Sequence, residues 1–126
     1  MSKIITIIGD RRIPSKKNLM RVGRRRVFKD PSVSDFEEYL KALATEEMLD
    51  SQTEMIEGPV KLTLSVTYPD KRRRDLQNCF ASVCDALNDI VYKDDSQIVE
   101  ISATKQVIKG EDGFVIYVEE LPKKEN

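Results

Sequence analysis

The sequence has no histidine and no tryptophan, and only two cysteines, five glycines and five prolines in 126 residues. Without imidazole there is no Ser-His-Asp triad, no Cys-His dyad, no histidine-based metal nuclease site and no two-histidine zinc finger. Any base or metal ligand must be a carboxylate, Lys, Tyr, Cys, an amide or water. Cys79 and Cys84 are five residues apart in one expected helix, where five residues advance about 500°, so a mutual disulfide is not expected. Two thiols alone do not complete a four-ligand zinc site, and both read as reduced and partly buried. No apolar run approaches the ~20 residues that cross a bilayer. The opening MSKIITIIGDRR lacks the longer apolar region and small-residue cleavage site of a signal peptide. The chain therefore reads as cytoplasmic, with no membrane partner.

What is present is enough for one core. The length suits a single domain over residues 1–126, and 40% apolar residues lies well above the disordered range. The formal net charge of −1 conceals segregation. Residues 1–29 carry ten basic side chains and one acid, Asp10, whereas residues 30–58 carry nine acids and one base, Lys41. Farther on, Lys71, Arg72, Arg73 and Arg74 are consecutive. A near-neutral total leaves room for a polyanionic partner if the basic segments meet on one face; otherwise they are solvated loops.

Periodicity predicts the elements. Residues 3–8 are rich in β-branched side chains and read as a buried strand. Residues 9–18 form a loop, and residues 24–28 a short strand or part of a basic flap. Asp30 and Pro31 break the chain. Ser34 and Glu37 have capping-box spacing, and Phe36, Leu40 and Leu43 recur at helical intervals, predicting a helix over 34–50. Residues 60–67 alternate as a half-buried strand. A second helix is predicted over 75–89, with Leu76, Phe80, Val83, Leu87 and Ile90 on one face. Strands follow over 97–108 and 114–119, joined by a turn at 109–113, and the charged end over 121–126 is expected to fray. The fold class is α+β, a small mixed β-sheet packed with two main helices.

The most informative stretch is PDKRRRDLQN at 69–78, followed by DDSQ at 94–97. Carboxylates beside a helix start suit a hard cation such as Mg²⁺, which takes oxygen ligands. Such an ion polarises a phosphodiester and activates water, while neighbouring Arg and Lys hold phosphates. The structural alternative is that Asp75 caps the helix and Asp94 and Asp95 form a turn.

The segment PDKRRRDLQN…CDALNDIVYKDDSQIVEISATK resembles the signature of RusA-type Holliday junction resolvases. The matching positions are Pro69, Asp70, Arg72, Arg73, Arg74, Asp75, Asn78, Asp85, Ala86, Leu87, Asp94, Asp95, Gln97, Ile98, Val99 and Lys105, with Gly9 and residues 14–18 fitting the family's N-terminal pattern. The resemblance implies a small homodimer that binds four-way DNA junctions and cuts two strands symmetrically with Mg²⁺ (Mn²⁺ as an alternative), often encoded by phages or prophages. Its acidic centre falls on Asp75, position 77 and Asp95.

Two positions depart from the family pattern. Position 77 is Gln where the family has Asp, and position 81 is Ala where it has its catalytic Lys. The two are four apart, so neighbours on one helix face. One reading is an altered but active site, in which Asp75 and Asp95 bind the metal, Gln77 donates an amide oxygen or orients water, Asp94 adds charge, and Lys93 or Lys105 replaces the missing cation. Lys105 could instead steady Asp95 or a phosphate. The other reading is a junction-binding descendant with little or no cutting. In both, Lys71, Arg72, Arg73 and Arg74 contact phosphates, and Lys16, Lys17, Arg21, Arg24, Arg25 and Arg26 form an outer DNA-binding surface. Asp70 and Asp85 are expected to organise loops and helix ends, and Asn78 to hold the helix start or Asp75.

Overall fold

A computed structural model describes residues 3–14, 21–23, 26–28, 31–72, 74 and 76–122, with backbone alone at 21–23, 26–28, 77 and 78. The elements are β1 (Ile4–Gly9), β2 (Arg21–Gly23), β3 (Arg26–Phe28), α1 (Pro31–Asp50), β4 (Val60–Tyr68), α2 (Leu76–Leu87), a 3-10 turn (Asp95–Gln97), β5 (Ile98–Val107) and β6 (Gly113–Glu120). The fold is α+β, as expected. Four strands form one mixed sheet in the order β1-β6-β4-β5, and β2 and β3 form a separate antiparallel pair. The basic flap is thus two short strands rather than one.

Alternation along β4 sets the layers. Val60, Leu62, Leu64, Val66 and Tyr68 are buried, while Lys61, Thr63, Ser65 and Thr67 point to the other face. In β1 and β6 the inward residues are Ile5 and Ile7, and Phe114, Ile116 and Val118. Against them α1 places Val33, Phe36, Leu40, Ala44 and Met48, and α2 places Cys79, Val83, Ala86 and Leu87. Phe36, Tyr39 and Phe114 meet in tilted and edge-to-face contacts at 5.7–6.3 Å. Phe114 lies opposite Gly9 in the β1–β6 ladder, and a Cβ on Gly9 would run into its ring. Glycine there is a packing requirement.

Two boundaries differ from the sequence reading. α1 begins at Pro31, not Ser34, because the first turn of a helix needs no N–H from proline and favours its fixed φ. Ser34 and Glu37 therefore lie inside the helix, and Glu37 is buried. α2 stops at Leu87 rather than 89, since Asp89 takes a left-handed φ of 63° and its amide donates to the Tyr92 carbonyl at 2.8 Å.

β4 and β5 run parallel, and parallel neighbours require a crossover. Here it is α2, which runs back from the end of β4 to the beginning of β5. This connection decides where the candidate residues lie.

Candidate functional site

The loop leaving β4 is ordered by Asp70. Its carboxylate accepts the Arg72 amide at 3.0 Å and pairs with the Arg74 guanidinium at 2.9 Å. The Arg72 amide first, then Arg74, holds the Asp70 carboxyl below its ordinary range. Arg74 also donates to the Asp70 carbonyl at 3.1 Å, lies 4.5 Å from the Tyr68 ring centroid, and is only 14% exposed. Tyr68 is itself held by Cys79, hydroxyl to Sγ at 3.0 Å. Arg74 is thus built into the fold, whereas the Arg72 side chain is 80% exposed and Lys71 is exposed as well. Lys105 reaches this end from β5, donating to the Arg74 carbonyl at 2.9 Å.

Two arginines left out of the sequence-based DNA surface belong here. Arg12 forms a double hydrogen bond to Asp112 at 2.9 and 3.1 Å, and the charge of Asp70 acts on it. Arg11 lies 4.1 Å from the Tyr39 ring centroid. The signal was their place in the ten-base N-terminal segment; what sequence did not reveal was that β1 pairs with β6 and ends beside the turn carrying Asp112. Lys71, Arg72, Arg74, Lys105, Arg11 and Arg12 therefore gather at one end of the sheet.

The second acidic motif lies at the other end. Asp94 caps the 3-10 turn, its carboxylate accepting the Ser96 amide at 3.0 Å, and hydrogen bonding from the Ser96 hydroxyl and amide keeps it below the ordinary carboxylate value. The Asp94 amide donates to Gln97 Oε1 at 3.0 Å, while Gln97 Nε2 donates to the Ile56 and Gly58 carbonyls, both at 2.9 Å. Asp95 is half-buried. Its charge reaches Cys84 and Tyr92, and burial first, then Asp95, pushes the Cys84 thiol up to about 12. The Asp95 carboxylate forms no hydrogen bond or ion pair with a described residue.

Asp75, Arg73, Lys16, Lys17, Arg24 and Arg25 lie outside the described residues, as do the side chains of Arg21, Arg26, Gln77 and Asn78. Even so, the backbone fixes one relation. Arg74 and Leu76, which flank position 75, mark the start of α2; Asp95 lies beyond its end, on the turn that touches it. Twelve helical residues span about 18 Å. From Ile98 to Lys105, β5 covers roughly 23 Å at about 3.3 Å per residue. The β4–α2–β5 crossover thus sets the described start of α2, at Leu76, and the Asp95 turn at opposite ends of the sheet. Lys105 is at the basic end, and Lys93 pairs with Asp89 at 2.8 Å. Ala81 is exposed on α2. Both cysteines are buried and unbridged.

A family model described as Endodeoxyribonuclease RusA matches residues 12–119. The chain belongs to the RusA family. It is similar to the crossover junction endodeoxyribonuclease RusA of Aquifex aeolicus (strain VF5), with 26% identity over 120 residues, covering 94% of this chain and 92% of that protein. The RusA-like positions 69–105 span the loop after β4, α2, the 3-10 turn and most of β5. No helix among the described residues is long and apolar enough to cross a membrane.

Proposed function

We propose that this RusA-family chain is a structure-selective endodeoxyribonuclease that acts on four-way DNA junctions in recombination or repair, as a homodimer. The observation that carries the reading is the cationic end of the sheet. Exposed Lys71 and Arg72 project from a loop held rigid by Asp70 and Arg74, with Arg11 and Arg12 beside them. The ordered loop fixes where these cations start, and their exposed side chains are available to phosphates.

The family implies a divalent cation, Mg²⁺ or Mn²⁺. Asp95 offers a carboxylate with no described partner, but among the described residues no three acidic or thiol groups converge. The described part of one chain does not assemble a cation site, so no chemical step is derived through an ion. Asp75 and Asp95 keep their proposed ligand roles, with Gln77, as contributions from two copies. β5 is an edge strand of ten residues. Two such edges set antiparallel about a two-fold axis turn the Asp95 end of one copy toward the α2 start of the other.

The test is cleavage of a mobile four-way junction and of linear duplex with Mg²⁺ or Mn²⁺. Wild type is expected to cut the junction, and Asp75→Asn and Asp95→Asn are expected not to. Equal cutting by all three would remove both aspartates from the mechanism. Neutral Gln77 and Ala81 favour a second reading, a junction-binding protein without cutting. It predicts tight, salt-sensitive binding with no cleavage, and it gains support if Gln77→Asp with Ala81→Lys creates activity that wild type lacks.

A further inference from the structure

Gln97 ties the Asp95 turn to a different part of the chain. Its amide is fully used: Oε1 accepts the Asp94 amide at 3.0 Å, and both Nε2 hydrogens go to main-chain carbonyls, Ile56 and Gly58, at 2.9 Å each. Those carbonyls belong to the connection between α1 and β4, about 40 residues earlier in the chain. The same connection is held a second time, by the Ile56 amide donating to the Val91 carbonyl at 2.8 Å. Tyr92, fully buried, donates to the Cys84 carbonyl at 2.9 Å and fixes the far side of the loop. Tyr92 therefore pins the loop before the turn to α2, Gln97 ties the turn itself to the 56–58 connection, and Asp95 lies between them in sequence.

We infer that Gln97 is a positioning residue: it clamps the turn to the 56–58 connection and so fixes where the Asp95 carboxylate is presented. The inference rests on the proposed function, in which Asp95 serves cutting. Only an amide fits this position. Glutamate keeps the acceptor for the Asp94 amide but loses both donors and faces two carbonyls; leucine keeps the bulk and loses all three bonds. Groups that orient a functional carboxylate commonly alter activity 10- to 100-fold when removed.

The experiment compares wild type, Gln97→Leu, Gln97→Glu and Asp95→Asn. In metal-free wild type, the Asp94 and Gln97 amides should exchange with solvent as slowly as their β5 neighbours; fast exchange would show that the clamp is not formed and would overturn the inference without any variant. In both Gln97 variants, exchange over 94–97 is expected to speed up at least ~10-fold and kcat for junction cutting to fall about 10- to 100-fold. KM and junction affinity without divalent ions should stay within about twofold. Wild-type kcat in both Gln97 variants, with Asp95→Asn inactive, would refute the clamp and leave the nuclease reading intact. A loss of junction affinity matching the loss of cutting would make Gln97 merely structural and overturn the positioning role. Wild-type cutting by Asp95→Asn would instead sink the functional reading on which the inference rests.

Discussion

Asp94 and Asp95 are adjacent in sequence but differ in their bonding. Asp94 accepts the Ser96 amide and caps the turn, whereas the Asp95 carboxylate has no bond to a described residue. An asparagine in place of Asp94 would still offer an oxygen to that amide. Asp94→Asn is thus expected to retain most junction cutting, against its loss in Asp95→Asn, in parallel assays. The pH dependence of folding separates the two further. The folded-state pKa of Asp94 lies below its ordinary value, so its stabilisation is fully present above about pH 4 and is lost as pH falls through the folded value. Thermal melting across pH 2–6 should therefore show a flatter acid limb for Asp94→Asn. Among the basic residues, Arg72→Ala is expected to leave stability within about 0.5 kcal/mol and to lower the slope of log affinity against log salt by roughly 1. Arg74→Ala should cost stability, about 1 kcal/mol from the lost stacking on Tyr68 alone. The sequence ranked these arginines as equals, since four consecutive cations carry no sign of which one Asp70 and Tyr68 will take.

At the scale of elements, legibility followed periodicity. The strict alternation over residues 60–67 reads directly as β4, and Leu76, Val83 and Leu87 place the inward face of α2. The starts and stops were harder, because they depend on single backbone conformations. Pro31 looks like a breaker and acts as an opener. The end of α1 shows the same dependence. Gln52 adopts φ 52°, its amide donates to the Leu49 carbonyl, and the Thr53 amide reaches back to Met48 at 3.0 Å. This is the left-handed helix stop that normally recruits glycine. Gln52→Gly is accordingly expected to raise stability by about 0.5–1 kcal/mol, measured by denaturant unfolding with an unchanged m-value.

At the scale of the whole molecule, the sequence shows which residues carry the RusA pattern but not that a parallel crossover separates the start of α2 from the Asp95 turn by the length of a helix. Spacing along the chain, 20 residues from Asp75 to Asp95, is the same whether the motifs meet in one copy or across two. The open edge of β5 bears on this. Ile101 pairs with Leu62 and faces the helix-covered side, yet it is 59% exposed, with Val99 at 60% and Val107 at 48%. A long edge strand with exposed apolar side chains is an invitation to pair. Ile101→Lys should therefore yield a folded monomer by sedimentation, with cutting lost. Mixing makes a sharper test. If each site draws Asp75 from one copy and Asp95 from the other, a heterodimer of Asp75→Asn with Asp95→Asn holds one site with both changes and one with neither. Random exchange makes half the dimers hybrid, so the mixture should recover about a quarter of the wild-type sites and nick rather than resolve the junction. If each site lay within a single copy, every site in the mixture would keep one lesion and the mixture would stay inactive. Equal inactivity of the mixture and its parents, with subunit exchange confirmed, would return both aspartates to one chain and require the β4–α2–β5 unit to rearrange on DNA.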